Sequence, residues 1–277
     1  MYQLLKKNIC TKQLIKLGLI VLFFLQHNFL FADDTVVLTD NHFPFALGNS
    51  YLILKDDNLQ YDTSNIEQQN FTPNSDAVPV FTLPVKSLWI NFKLKNVSSS
   101  THLYLSFGDP NISNIWVYEK TPHGLILLDH TGASTKFNTR KNNNTAFDIS
   151  LLLQQNTEKE FYVHISSPHA IELPVTVNNP DSLNESNFTQ ILIIGLYCGI
   201  VISILLYNLF LFFATKDTSY LVYVIYLFTI GFAQISFAGW FFRFFWPSHP
   251  SFNSYIVIST SCLAGCLAIA FATGRRQ

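Results

Sequence analysis

Charge is scarce in this chain, and cysteine is missing from the part of it that reads as a soluble domain. Of 277 residues only 13% are Asp, Glu, Lys or Arg, about half the share usual in soluble domains. All four cysteines, Cys10, Cys198, Cys262 and Cys266, lie outside residues 33–177. That stretch therefore holds no disulfide and must be kept together by core burial alone. Cys262 and Cys266 stand four apart, on one face of a helix, but no His or acidic residue is near them in sequence, which makes them packing residues and not a metal site. Net charge is −1, and four of the lysines (Lys6, Lys7, Lys12, Lys16) fall in the N-terminal segment, so the remainder is mildly acidic and unsuited to nucleic acid. There is no Gly-x-Ser-x-Gly elbow and no phosphate loop. His123, His130, His164 and His169 are scattered without metal spacing, and Asp56-Asp57 is not continued into a calcium loop. No catalytic residue, metal ligand or cofactor is assigned, and the chain reads as something other than an enzyme.

What is present falls into three parts. The N-terminus has basic residues up to Lys16, an apolar core from Leu17 to Leu25 and the small Ala32 ahead of Asp33-Asp34, so residues 1–32 read as a signal peptide and the chain beyond Ala32 as exported. Leu30, large for a position three before the cut, keeps an uncleaved anchor as the alternative.

From Val36 to Val177 the chain alternates with period 2 between Asn, Gly, Pro and Ser clusters. The clearest run is Leu88 to Lys95, where Ile90, Phe92 and Leu94 point one way and Asn91, Lys93 and Lys95 the other, as in a half-buried strand. Similar runs occur at Leu103-Leu105-Phe107, Ile115-Val117, Leu125 to Leu128, Ala146 to Leu151 and Phe161-Val163-Ile165. Eight or so strands without a helix predict an all-β sandwich of the jelly-roll kind over residues 33–177. Residues 56–79 have no clear period and read as a surface connection, and 178–190 as a polar linker. Trp116 and Tyr118 are the candidate ligand-binding residues, because a flat aromatic face suits the C–H edges of a sugar; the alternative is a second sheet packed on that face.

The last third is apolar. Three stretches, 191–213, 220–241 and 253–273, each match the roughly twenty residues that a bilayer demands, with 274–277 as a tail. Lys216, Arg275 and Arg276 on one side against Arg243 on the other set the expected orientation, with the strand-rich part outside. In the first span Gly195, Gly199 and Ser203 form a smooth strip for helix packing. Asn208, a costly amide in hydrocarbon, is expected to bond a neighbouring helix, and Gln234 reads as a second buried amide. These features predict a bundle that needs more helices, from this chain or another.

Particular residues here are shared with a known group. Gly195, Tyr197 and Gly199, then Tyr207 to Phe212 (Tyr-Asn-Leu-Phe-Leu-Phe), Asp217 with Tyr220, Leu221 and Tyr223, Gly239, and Trp246-Pro247 resemble the opening of the bacterial seven-transmembrane receptors with diverse intracellular signalling modules. Leu88 to Asn96 and the stretch from Pro110 to Trp116-Val117-Tyr118 resemble that family's type-2 extracellular domain. The resemblance implies a periplasmic jelly roll akin to carbohydrate-binding modules, joined to a seven-helix sensor and usually to a cytoplasmic output. This sequence ends after the third span, so the expectation is a truncated or split receptor without an output domain. It implies a multi-pass protein of the bacterial inner (cytoplasmic) membrane, with its N-terminal domain in the periplasm. Expected partners are the lipid bilayer, a small envelope ligand such as a carbohydrate, and other transmembrane helices or a signalling protein. A membrane-anchored periplasmic interaction module, or half of a split receptor, is the competing reading.

Overall fold

A computed structural model describes residues 35–82 and 86–274, with side chains as far as Ile269. The signal segment 1–32 and the basic tail residues Arg275 and Arg276 lie outside the described residues.

The alternating stretch folds as short strands: β1 (Val36–Leu38), β2 (Phe45–Ala46), β3 (Leu52–Lys55), β4 (Thr72–Pro73), β5 (Val80–Phe81), β6 (Ser87–Asn96), β7 (His102–Phe107), β8 (Asn114–Thr121), β9 (Gly124–Thr131), β10 (Phe147–Leu152), β11 (Glu158–Ser166), β12 (Ile171–Glu172) and β13 (Val175–Asn178). One sheet runs β4-β3-β6-β11-β8-β9, with β1 added in parallel to β6; a second runs β10-β7-β13-β2, and β12 pairs with β5. Period 2 sets the core. Leu88, Ile90, Phe92 and Leu94 of β6 point inward beside Ile165, Val163 and Phe161 of β11. Leu105, Phe107, Ile149 and Val177 reach the same core from the second sheet. The result is a sandwich whose sheets do not close. Each fully buried Leu, Ile or Phe contributes about 1.5–3 kcal/mol, which is how the domain stands without disulfides.

Two expectations about this region change. β6 is not half-buried, since Trp89 is 1% and Asn91 7% exposed on its outer side. The cover is the segment 56–73, read from sequence as a surface connection. Ile66, fully buried, sits under Leu54, Tyr61 and Phe71 together with Trp89 and Tyr162. Isolated apolar residues in a polar stretch make no period, so the pattern did not reveal them.

Four helices come next: α1 (Pro180–Thr215), α2 (Thr218–Phe237), α3 (Trp240–Phe244) and α4 (Pro250–Gly274). Among the described residues α1, α2 and α4 are long and apolar enough to cross a membrane. Residues 178–190, read from sequence as a polar linker, are continuous with both neighbouring elements. Asn178 ends β13, Asn179 caps α1 and Pro180 is its first residue. The polar residues 180–190 then hold the apolar part about 16 Å from the sandwich, at 1.5 Å rise per residue. The second span stops at Phe237 and not at Phe241, because Gly239 takes φ +79 and turns the chain into α3. α2 lies between α1 and α4. A Cβ on its Gly231 would stand 3.2 Å from Val201 of α1, so this glycine sets their approach.

Candidate functional site

The outer face of the larger sheet carries the aromatic candidates. His130 of β9, Trp116 of β8, His164 of β11 and Trp89 of β6 are register neighbours. Strand spacing brings their rings into one stacked row, with centroids 4.7, 4.8 and 4.5 Å apart, each contact adding about 0.5–1.5 kcal/mol beyond burial. Trp116 therefore has an imidazole on both faces and leaves its edge outward. Tyr118, in the next row, lies 6.0 Å from Trp89 in a stacked pose, and half-burial raises its phenol. The cover over this face is the 56–73 segment and not a second sheet.

Below the row, Ser87 Oγ lies 2.7 Å from His164 Nε2. Burial pushes the imidazole down to about 4, against the opposing charge of Asp56. Asp56, itself buried, accepts the backbone N–H groups of Gln60 and Tyr61 at 2.9 and 3.1 Å. Ser87 has no exposed surface, while His164 is partly buried.

A second constellation joins the sandwich to the helices. Phe242 of α3 is 2% exposed and packs edge-on to Phe137 at 5.6 Å. Phe137 N–H also donates to Pro247 O at 2.7 Å. The Arg140 guanidinium lies 4.4 Å from the ring centres of Phe137 and Phe147 and 5.7 Å from that of Phe242. Its Nη1 donates to Asn144 O and Thr145 O at 3.1 and 3.0 Å. Burial lowers it to about 10, with Asp148 opposing the shift, so it stays a cation at neutral pH. Such a desolvated cation over aromatic rings is worth about 2 kcal/mol.

From there a polar chain crosses the outer face of the smaller sheet. Asn144 donates to Asp148, and Ser106 Oγ donates to Asp148 Oδ1 at 2.6 Å. Asn178 Nδ2 donates to Ser106 Oγ at 3.0 Å, and Ser182 Oγ lies 3.4 Å from Asn178 Oδ1. Burial raises the Asp148 carboxyl, while Ser106, Asn144 and Arg140 pull it back. Ser182 in turn donates its N–H to Asn179 Oδ1 at 2.8 Å, and Asn179 N–H donates to Ser182 Oγ at 3.1 Å, a reciprocal cap. The socket of α3 and the first turn of α1 are thus ends of one bonded path.

The membrane candidates fall elsewhere. A Cβ on Gly195 or Gly199 would meet nothing within 4 Å, and Ser203 is exposed and donates to Gly199 O. No described helix packs on that strip. Asn208 is buried, yet its Nδ2 donates to Ile204 O of its own helix at 2.8 Å, and Gln234 is exposed. Backbone carbonyls one turn back satisfy an amide as well as a neighbouring helix does, and spacing alone does not separate the two. Sequence reasoning missed Arg140, Phe242, Asp148 and Ser106. Phe242 is one Phe in an apolar run and Arg140 one cation in a polar one, so neither carried a signal.

The comparisons with known proteins divide at the same joint. A family model described as 7TMR-DISM extracellular 2 matches residues 48–179, ending on the cap of α1. Another, 7TM diverse intracellular signalling, matches 190–274. No curated protein matches. Among solved structures, the insecticidal crystal protein Cry2Aa is similar over 35% of this chain at 15% identity and TM-score 0.23, this chain spanning 16% of its length. A family 6 carbohydrate-binding module is similar over 46% of this chain and 88% of its own, at 15% identity and TM-score 0.20.

Proposed function

Because the chain belongs to the seven-transmembrane receptors with diverse intracellular signalling, as their extracellular 2 domain followed by membrane helices, we propose that it is a sensor and not an enzyme. In this reading the sandwich lies in the periplasm, the helices cross the inner membrane, and an envelope ligand on the sandwich alters helix packing. The observation that supports it is the double attachment. The sandwich continues into α1 through Asn179 and also grips the α2–α4 connection through Phe242, so a shift of one sheet moves two helices. A flexible tether would pass nothing on. Carbohydrate, on a jelly-roll domain, is the ligand class to test first, on the edge of Trp116 and the half-buried Tyr118.

The test uses the full chain in nanodiscs with a fluorine label on Cys262, with Cys10, Cys198 and Cys266 changed to Ala. A glycan at a hundred times its Kd stabilises the sandwich by about 2.7 kcal/mol and shifts the label. Phe242→Ala is expected to keep the stabilisation and lose the label shift. Absence of stabilisation across a panel of glycans and envelope metabolites sinks the ligand part, and an unchanged shift in Phe242→Ala sinks the coupling part.

The uncovered strip at Gly195, Gly199 and Ser203 favours a second reading, a membrane-anchored interaction module or half of a split receptor. It is supported if Gly195→Ile abolishes co-purification of a second membrane protein while the sandwich still melts normally.

A further inference from the structure

The short helix α3 meets different surroundings on its two sides. At 3.6 residues per turn, Trp240 and Phe244 stand one turn apart on the side opposite Phe242. Phe242 is 2% exposed and packs on Phe137 of the sandwich, whereas Phe244 is 65% and its neighbour Phe245 69% exposed. Trp240 and Phe244 stack with ring centroids 6.1 Å apart. The Arg243 guanidinium lies over both rings, 5.4 and 5.2 Å from their centres. It makes no ion pair and no side-chain hydrogen bond with any described residue.

The depth of this helix follows from the path of the chain. α3 joins the end of α2 at Phe237 to the start of α4 at Pro250, and both of those helices are long and apolar enough to cross a membrane. Two spans joined by a short connection reach the same boundary of the bilayer, so the connection lies at that boundary, with the sandwich beyond it. The exposed apolar surface of the spans, carried by Phe237 on α2 and by Phe252 and Tyr255 on α4, continues onto Phe244 and Phe245. Aromatic rings favour the level where acyl chains meet headgroups, and a long cationic side chain can lie along apolar surface while its head reaches the polar side. A guanidinium framed by two rings and without an anion of its own matches the anion found at this depth, a lipid phosphate, whose oxygens its forked N–H groups fit.

We propose that α3 is a membrane-interface seat, in which Trp240, Phe244 and Phe245 lie at the acyl–headgroup boundary and Arg243 holds the phosphate of a phospholipid. The inference rests on α2 and α4 being membrane spans and is independent of any ligand on the sandwich. Because Phe242 of the same helix is fixed in the sandwich, the seat also sets the height of the sandwich over the bilayer.

Placement is tested on the full chain in nanodiscs of phosphatidylcholine brominated either near the headgroup or near the chain end, which quenches nearby indoles. The share of quenching that disappears in Trp240→Phe reports on that residue alone, and it should be larger with the shallow bromines. No loss of quenching in Trp240→Phe, or a larger share with the deep bromines, overturns the interfacial placement. The phosphate contact is tested in maltoside micelles by titrating dioleoylphosphatidylglycerol, with dioleoylglycerol as its phosphate-free counterpart and indole fluorescence as the reading. The phospholipid should bind saturably and the diacylglycerol should not. Arg243→Gln should weaken binding about tenfold, the loss of one charge-assisted contact, with Arg243→Lys falling between and the sandwich melting as in the wild type. Equal binding of the diacylglycerol, or wild-type affinity in Arg243→Gln, overturns the phosphate contact. Displacement of the phospholipid by millimolar inorganic phosphate would mean a site for a free anion and overturns the lipid as occupant.

Discussion

His164 sits with an indole on each face, Trp116 and Trp89, its Nε2 on Ser87 and Asp56 nearby. Its ordinary value of 6.5 falls to about 4 in the fold. Above pH 6.5 neither folded nor unfolded chain holds the proton, and stability is full. Between 6.5 and 4 the unfolded chain takes up a proton that the folded one refuses, so stability falls with pH and levels off below 4. Such a shift is worth about 3 kcal/mol at most. His164→Gln can still bond Ser87 but does not titrate. Urea unfolding at pH 7 and 4.5 should show the wild type losing about 2 kcal/mol more than the variant; equal losses would mean that the imidazole is not held neutral. The same neighbourhood shows the limit of reading residues singly. Alternation puts Trp116 on an outer face, but the rings that cover it belong to strands β9 and β11, fixed only by register.

At the element scale, where α2 stops is decided by one backbone position. Gly239 has φ +79, and a Cβ there would stand 3.3 Å from Pro110 Cβ and 3.6 Å from Thr145 Cβ of the sandwich. Gly239→Ala should therefore destabilise the full chain by about 1–2 kcal/mol through the left-handed conformation alone, and more if Pro110 cannot give way. Gly195→Ala, with open space around it, should be silent in the same thermal melt. If both are silent, α2 is not seated on the sandwich as described. Strand positions were legible because Leu88 to Lys95 and its like alternate cleanly, and the spans because apolar length is unambiguous. Helix ends were not. The start of α1 lies in polar residues whose helicity comes from the Asn179 cap and Pro180, and the end of α2 turns at a glycine where an added Cβ would meet Pro110, more than a hundred positions away.

For the whole molecule, the question is whether the α3 socket and the α1 cap act as one unit. Arg140, Asp148, Ser106, Asn178 and Ser182 come from separate places in the sequence, which no periodicity brings together. Partly buried bonds of this kind polarise one another and respond as a network. Phe242→Ala removes the ring beneath Arg140 and should cost about 3–5 kcal/mol as a core truncation. Ser106→Ala cuts the chain in its middle, leaving Asp148 and Asn178 each short of a partner. If the path is continuous, the double variant departs from additivity by at least about 0.5 kcal/mol, since only residues sharing a network couple over such separations. Ser150→Ala is the control: it lies on β10 two residues from Asp148, is exposed, and its hydroxyl has no hydrogen-bond partner among the described residues. Its cycle with Phe242→Ala should be additive. Additivity in both cycles would show that the helices are attached at two independent points, and that a ligand on the sandwich moves them separately.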